Sequence, residues 1–189
     1  MSTPVSDAAS DRVAAFFDLR ARWAGTHNLS GPRALAHPHL VDLADAEALL
    51  RVLASELPLV DVGAGSGVPG LLVACLDPAR PVVVVEPLVK RAAFLRTAAH
   101  QLGLKAVRVE RARWPLPLAE PVQVVSRAVV SPEEWPALAA EGGTAVQAIL
   151  RYLAAQRPPV RVPGFELAAH HDYTVDGAAR RVERWQRVS

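Results

Sequence analysis

The residues best suited to chemistry in this chain are three glycines spaced two apart, Gly63, Gly65 and Gly67. Asp61 lies near the end of the apolar run that precedes them, and Glu86 ends the all-valine run that follows them. Glycine lets a backbone turn with positive φ and approach a ligand closely. A carboxylate at the end of a strand can accept hydrogen bonds from ribose hydroxyls. The pattern predicts a nucleoside-type cofactor held between a glycine turn and a carboxylate.

Two glycine spacings overlap in this loop and indicate different cofactors. Gly63-x-Gly65-x-Gly67 is the spacing that follows the first strand of methyltransferases, whereas Gly65-x-Gly67-x-x-Gly70 matches the dinucleotide pattern. The apolar run that contains Asp61 leads directly into Gly63. The dinucleotide spacing starts at Gly65, which is two residues too far from the end of that run. The spacing therefore favours S-adenosylmethionine over NAD. Asp61 would meet the ammonium group of that cofactor directly or through water.

The segments around the loop predict a doubly wound α/β sheet. Four short apolar runs have the composition of strands: residues 57–62, 82–86, 107–109 and 122–125. Helical spacing of apolar residues occurs in four further segments: residues 11–24, 42–56, 68–76 and 88–102. An all-valine strand is typical of a parallel sheet covered on both faces. The alternation predicts a Rossmann-like, twisted, mostly parallel sheet with helices on both faces.

The C-terminal part is less regular in its pattern. Residues 144–153 fit a strand or a helix, whereas residues 165–175 and 180–188 flank Asp176-Gly177 and predict an antiparallel hairpin. We expect residues 1–56 to form an N-terminal helical extension packed on a methyltransferase domain of residues 57–189, in one compact unit overall.

Composition narrows the class of protein. The 189 residues are 51% hydrophobic, enough for one sizeable core, and no apolar run reaches the roughly 18–20 residues of a membrane span. A single cysteine, Cys75, excludes an internal disulfide framework and fits a reducing compartment. We therefore expect a cytoplasmic globular protein, with no membrane partner and no metal.

Basic residues are concentrated in one part of the chain. Residues 80–113 contain eight lysines and arginines against two acidic residues. Such a stretch is either a solvated helix face or a phosphate-contacting surface beside the cofactor cleft. On the second interpretation, Lys90, Arg91 and Arg96 would bind RNA.

The residues after the fourth strand bear on the methyl acceptor. Val125-Ser-Arg-Ala-Val129 lacks the Asn/Asp-Pro-Pro-aromatic motif by which amino-methylating enzymes hold an amine. Cys75 has the setting of a small core residue rather than of the nucleophile that carbon-5 pyrimidine methylation needs. Guanine N7 needs neither device, because its lone pair can attack without loss of a proton. The sequence is compatible with that acceptor.

Four segments together resemble one known family. They are Asp61-Val-Gly-Ala-Gly-Ser-Gly-Val-Pro-Gly70, Lys90-Arg-Ala-Ala-Phe-Leu-Arg96 with His100-Gln-Leu-Gly-Leu104, Ser126-Arg127-Ala128, and the weaker upstream pair Trp23-Ala-Gly-Thr-His-Asn-Leu-Ser30 and His39-Leu-Val-Asp42. In these segments the chain resembles the RsmG family (glucose-inhibited division protein B). That family methylates guanine N7 in 16S ribosomal RNA with S-adenosylmethionine.

The resemblance implies roles at the cofactor site. Gly63 and Val68 would line it. Arg113, Trp114 and Pro115 would lie where the backbone of the family passes the adenine.

The resemblance also implies catalytic candidates. Arg127 would lie at the junction of cofactor and acceptor and hold a carboxylate or an RNA phosphate, unless it forms a buried structural ion pair. Asn28 and His39, with Asp42, would help to close the pocket. Arg127, His39 and Asn28 are thus the candidate catalytic residues.

The resemblance implies a class I methyltransferase fold, S-adenosylmethionine as cofactor, and 16S ribosomal RNA or the small ribosomal subunit as partner. We expect the chain to act as a monomer. The chain departs from the family pattern at Pro38, at Leu43 and after Gly143. Two alternatives stay open: a relative that methylates another RNA or a small molecule, and a relative that binds adenosylmethionine or RNA without turnover.

Overall fold

A seven-stranded sheet forms the centre of the molecule, seen in a computed structural model that describes residues 7–24, 39–127, 129–154 and 161–188. Its strands are β1 (Leu59–Val62), β2 (Val82–Val85), β3 (Val107–Glu110), β4 (Val122–Val125), β5 (Val146–Ala154), β6 (Phe165–Val175) and β7 (Ala178–Arg187). The strand order is β3-β2-β1-β4-β5-β7-β6. The first five strands are parallel, and β7 is antiparallel to both of its neighbours. This sheet and its helices confirm the predicted Rossmann-like fold.

Helices cover the sheet. They are α1 (Asp7–Ala24), a π-helical turn (His39–Leu43), α2 (Ala44–Leu50), α3 (Gly70–Leu76), α4 (Val89–Gln101), α5 (Trp135–Ala140) and a 3₁₀ turn (Gly143–Ala145). All four residues of β1 and of β4 are buried, as expected for central strands covered on both faces. None of the described helices is long and apolar enough to cross a bilayer.

The N-terminal helices pack on one face of the sheet. Phe16 of α1, Leu49 of α2 and Leu71 of α3 are fully buried in the same hydrophobic cluster. A division of the chain between residues 56 and 57 stays a prediction, since this cluster joins both sides of it.

The second predicted helix, residues 42–56, ends at Leu50 in the structure. The side chain of Gln123 on β4 explains the early end, because it bonds backbone that a longer helix would use. Gln123 Oε1 accepts from Ala54 N at 3.0 Å, and Gln123 Nε2 donates to the carbonyl oxygens of Ala54 (2.9 Å) and Leu57 (2.6 Å). The loop before β1 is thus fixed to the sheet by a buried amide.

The ambiguous segment 144–153 proves to be a strand, β5, after a single 3₁₀ turn. The predicted hairpin is confirmed as β6 and β7, joined at Asp176 and Gly177, both with positive φ. Between β3 and β4 the described chain has no helix. The loop of residues 111–121 instead packs against a second hydrophobic cluster, which includes Val62 and Val124. The loop residues that contact this cluster are Trp114, Leu116 and Leu118.

Candidate active site

A cavity of about 620 Å³ lies at the carboxyl ends of β1, β2, β3 and β4. This size falls within the roughly 300–1,000 Å³ of small-molecule sites. The carboxyl ends of parallel strands are where doubly wound sheets bind ligands. Among the predicted cofactor residues, those that line the cavity are Gly63, Gly65, Val68, Glu86, Arg113, Trp114 and Arg127.

The glycine loop forms one wall of this cavity. Gly63, Gly65 and Gly67 have φ values of 69°, 56° and 90°, a region that L side chains rarely adopt. The loop continues the sheet, because Gly63 N donates to Val85 O at 2.8 Å. Gly67 faces the core instead of the cavity, where a β-carbon would lie 2.9 Å from Leu71 Cδ1 and 3.1 Å from Phe16 Cε2.

Asp61 lies behind the loop and is buried, with 1% of its surface exposed. Its Oδ2 accepts a 2.8 Å hydrogen bond from Gly70 N, where no β-carbon could fit, and its buried Oδ1 has no hydrogen-bond partner within the described chain. Burial raises the pKa of Asp61 to about 7, against the opposing effects of the Gly70 N–H and of Arg127. Asp61 does not line the cavity. Its predicted contact with a cofactor ammonium stays a prediction, and this position favours the form that runs through water.

Glu86 is fixed at the wall of the cavity by backbone donors. Gly65 N donates to Oε2 at 3.0 Å, and Leu88 N donates to Oε1 at 2.9 Å. A carboxylate offers about four lone-pair sites, so each oxygen can still accept from a ribose hydroxyl. The same two bonds tie the glycine loop to the start of α4.

Trp114 contributes an aromatic ring to the lining of the cavity. Its Nε1 donates to Leu138 O of α5 at 2.8 Å, and a β-carbon on Gly142 would lie 2.5 Å from its ring. Arg113 also lines the cavity, whereas Pro115 does not. The loop that stands in place of a helix thus brings the ring to the cavity.

Arg127 combines both roles considered for it. Its Nη1 forms ion pairs with Asp42 and, at 3.3 Å, with Asp45, while the side chain lines the cavity and is 25% exposed. Burial lowers the pKa of Arg127, but Asp42 and Asp45 outweigh this effect and raise it above its ordinary value, so the side chain stays charged.

The two carboxylates beside Arg127 belong to a larger buried network. Asp42 also pairs with Arg20 of α1, and Asp45 accepts from Tyr173 of β6 (2.8 Å) and Arg180 of β7 (3.1 Å). The network therefore joins the N-terminal helices and the C-terminal hairpin to the cavity.

The remaining predicted residues have mixed positions. Lys90 and Arg96 are exposed on α4, and Arg91 lines the cavity. Asn28, Pro38 and the side chain of His39 lie outside the described residues, as does Ala128. Among the described residues, no group of three or more His, Cys, Asp and Glu side chains is placed to hold a metal ion.

Several lining residues were not predicted, among them Val129 and Leu138. Val129 follows the Ser-Arg-Ala segment, so proximity in sequence was the available signal. Leu138 lies in a helix that the sequence pattern did not predict, and its carbonyl oxygen accepts the hydrogen bond from Trp114.

Comparison with known proteins gives consistent results. The GidB family, described as rRNA small subunit methyltransferase G, matches residues 10–152. The Ribosomal RNA small subunit methyltransferase G of Anaeromyxobacter dehalogenans (strain 2CP-C) is 34% identical in a match that covers 99% of this chain and 93% of that protein. The protein of the same name from Neisseria gonorrhoeae (strain FA 1090) is 35% identical over 113 residues, which cover 60% of this chain and 55% of that protein.

Two solved structures illustrate the likeness in fold. Magnesium protoporphyrin IX methyltransferase (ChlM) from Synechocystis PCC 6803, with bound SAM, has a TM-score of 0.61 at 15% identity, covering 99% of this chain and 100% of that one. TrmN from Thermus thermophilus has a TM-score of 0.51 at 23% identity, and the match covers 76% of this chain and 48% of that one. With the fold of class I methyltransferases and a match over residues 10–152, the chain belongs to the GidB family, rRNA small subunit methyltransferase G.

Proposed function

We propose that this protein is an S-adenosylmethionine-dependent methyltransferase that modifies guanine N7 of 16S ribosomal RNA in the small ribosomal subunit. The observation that carries the proposal is the cavity between the glycine loop and Glu86, in a chain that belongs to this family. The names of the relatives support ribosomal RNA as the substrate.

The donor set of the cavity fits this cofactor. Glu86 would accept from the ribose hydroxyls, and Trp114 would lie along the adenine. Gly65 leaves backbone, without a side chain, next to the methionine part, whereas the space beside Gly63 is filled by Val129. The unpartnered Oδ1 of Asp61 is a buried acceptor that a cofactor ammonium would satisfy through water.

Methyl transfer to guanine N7 requires little acid–base catalysis from the protein. The bound cofactor would supply an electrophilic methyl group on its sulfonium, which the lone pair of guanine N7 would accept with the neutral thioether as leaving group. No proton leaves N7 in this step, so the residues act by positioning and by excluding water. Arg127, kept charged by Asp42 and Asp45, would hold an anionic group at the junction of cofactor and acceptor. We retain Asn28 and His39 as further candidates.

The RNA would approach over α4. Lys90 and Arg96 are exposed there, and Arg91 connects this surface with the cavity. Positive side chains beside the cavity would neutralise phosphates of the RNA backbone. We also propose that the protein acts as a cytoplasmic monomer.

Two measurements test the proposed function. Calorimetric titration with S-adenosylmethionine should show one site per chain. Purified protein with labelled cofactor should transfer the label to small subunits that lack the modification, and nucleoside analysis should identify 7-methylguanosine. Binding without transfer would indicate a relative without turnover, and label on another RNA or a small molecule would redirect the proposal.

A further inference from the structure

Val129 is an apolar residue in an unusual position at the cavity. It lies in the loop after β4, lines the cavity and is 45% exposed. The Cγ2 atom of Val129 occupies the space that a β-carbon on Gly63 would need. Such a β-carbon would lie 3.7 Å from the Cβ of Val129. Val129 is thus packed directly on the glycine turn while one side of it faces open space.

The topology places Val129 at one particular end of the cavity. Glu86 follows β2 and Trp114 follows β3, so the groups that suit an adenosine lie on the β2–β3 side of the glycine loop. Val129 and Arg127 follow β4, the neighbour of β1 on the opposite side. A cofactor lying across these strand ends with its adenosine at β2 and β3 has its methionine part near β1 and β4. Val129 therefore lies at the end where the methyl group would be transferred.

The chemistry of the side chain matches a planar acceptor. Enzymes that modify a base take it out of the stack and hold it against aromatic or apolar side chains. Valine is stiff at χ1, so Val129 offers a fixed apolar surface on the turn beside the reacting atoms. Arg127, two residues earlier, supplies a positive charge on the same loop.

We propose that Val129 packs against the face of the acceptor base and fixes the orientation in which the base meets the methyl group. Val129 is then a specificity-determining residue for the acceptor and contributes little to cofactor affinity. This inference rests on the proposed function, because it takes the acceptor to be an unstacked base.

Two substitutions test the role of Val129. Val129→Ala removes the methyl group that faces the base as well as the one packed on Gly63, and it should raise the KM for unmodified small subunits about fourfold, since one buried carbon contributes about 0.8 kcal/mol. Val129→Thr keeps the volume but replaces a methyl group with a hydroxyl, and it should give an intermediate KM. In both variants, the calorimetric Kd for S-adenosylmethionine should stay within about twofold of the wild-type value.

The neighbouring Val130 provides the matched control. It is 37% exposed and does not line the cavity, so Val130→Ala should leave both constants unchanged. Thermal melts of all three variants would show that they fold. An unchanged KM in Val129→Ala, or a Kd for S-adenosylmethionine that rises as much as the KM, would overturn the inference while methyl transfer by the wild type upholds the proposed function. Absence of transfer by the wild type would refute both.

Discussion

At the scale of single residues, Asp61 is a group whose charge depends strongly on its surroundings. It is buried behind the glycine loop, and one carboxylate oxygen has no partner within the described chain. An acid whose pKa rises on folding binds its proton more tightly in the folded state than in the unfolded state. It therefore stabilises the fold at low pH, and this contribution is lost as the pH rises towards the folded-state pKa.

We expect Asp61→Asn to remove a pH dependence of stability. With a pKa raised from 3.8 to about 7, ionisation of Asp61 should lower the wild-type free energy of unfolding by on the order of 4 kcal/mol between acid and neutral pH. The variant lacks this titrating group, so its stability relative to the wild type should increase as the pH rises from about 4 to 7 and then level off. Urea unfolding at several pH values measures the difference. A difference that does not change with pH would contradict the assignment.

The glycine turn makes the second prediction at this scale. Gly63→Val would place a branched side chain at a φ of 69° and against Val129, so we expect no measurable binding of S-adenosylmethionine by calorimetry. Backbone strain alone costs about 1–3 kcal/mol. The matched control is Gly103→Val, at a φ of 65° with no atom within 4 Å of its β-carbon, at the end of α4 away from the cavity. This control should lose stability and keep its affinity; loss of affinity in both variants would show that folding, not the turn, is responsible.

Residues of the site differed in how far they could be predicted. Gly63 and Glu86 were accessible because their roles depend on local sequence, a turn at the end of one strand and a carboxylate at the end of the next. Leu138 was not accessible, because it lies on the short helix α5, which the sequence pattern did not predict, and its contact with Trp114 spans 24 residues of chain. The dual role of Arg127 needed the tertiary structure, since its partner Asp42 is 85 residues away.

At the scale of elements, the strands β5 and β7 show how buried charges are accommodated inside a sheet. Arg151 and Glu183 are direct cross-strand partners, each 1% exposed, and form an ion pair at 2.7 Å. Trp185 Nε1 donates to the same carboxylate at 2.8 Å. The charge of Glu183 is therefore compensated within the sheet itself.

Glu183→Gln should destabilise the protein strongly. The substitution keeps the shape but removes the Glu183 charge from its buried ion pair with Arg151, and breaking such a pair by removing one partner costs about 3–5 kcal/mol. The matched control is Asp172→Asn, because Asp172 and Arg181 are also direct cross-strand partners but lie at the surface, where such pairs contribute about 0–1 kcal/mol. Chemical unfolding measures both. Equal losses in the two variants would contradict the account of a buried pair.

Local patterns predicted some elements and missed others for physical reasons. The hairpin of β6 and β7 follows from turn residues between two alternating segments, which is a short-range signal. The early end of α2 depends on Gln123, which is 69 residues from Ala54. Between β3 and β4, apolar residues of the loop pack on the sheet without helical structure, and no periodic pattern in the sequence predicts such packing.

At the scale of the whole molecule, exposed lysines lie at both ends of the parallel strands. Lys90, near the start of α4, is exposed at the carboxyl end, where the cavity lies, whereas Lys105, just before β3, is exposed at the amino end. If RNA covers the carboxyl end, only Lys90 can meet a phosphate.

Lys90→Ala should therefore weaken binding of 16S ribosomal RNA and reduce the salt dependence of the affinity. For one lost phosphate contact, the slope of log affinity against log salt should become shallower by about 0.7–0.9. Lys105→Ala makes the same change in charge and should leave the slope unaltered. Filter binding over a range of salt concentrations provides the comparison. Equal effects of the two substitutions would indicate that net charge, and not this surface, governs binding.

The strand order and the cavity at the parallel strand ends make one claim central, that this fold transfers a methyl group to guanine N7 of the small-subunit RNA. The most direct measurement is aniline cleavage at 7-methylguanosine in 16S ribosomal RNA from cells with and without the gene. We predict that the cleavage disappears on deletion, returns with the wild-type gene and stays absent with Gly63→Val. Cleavage that persists in the deletion strain would contradict the account.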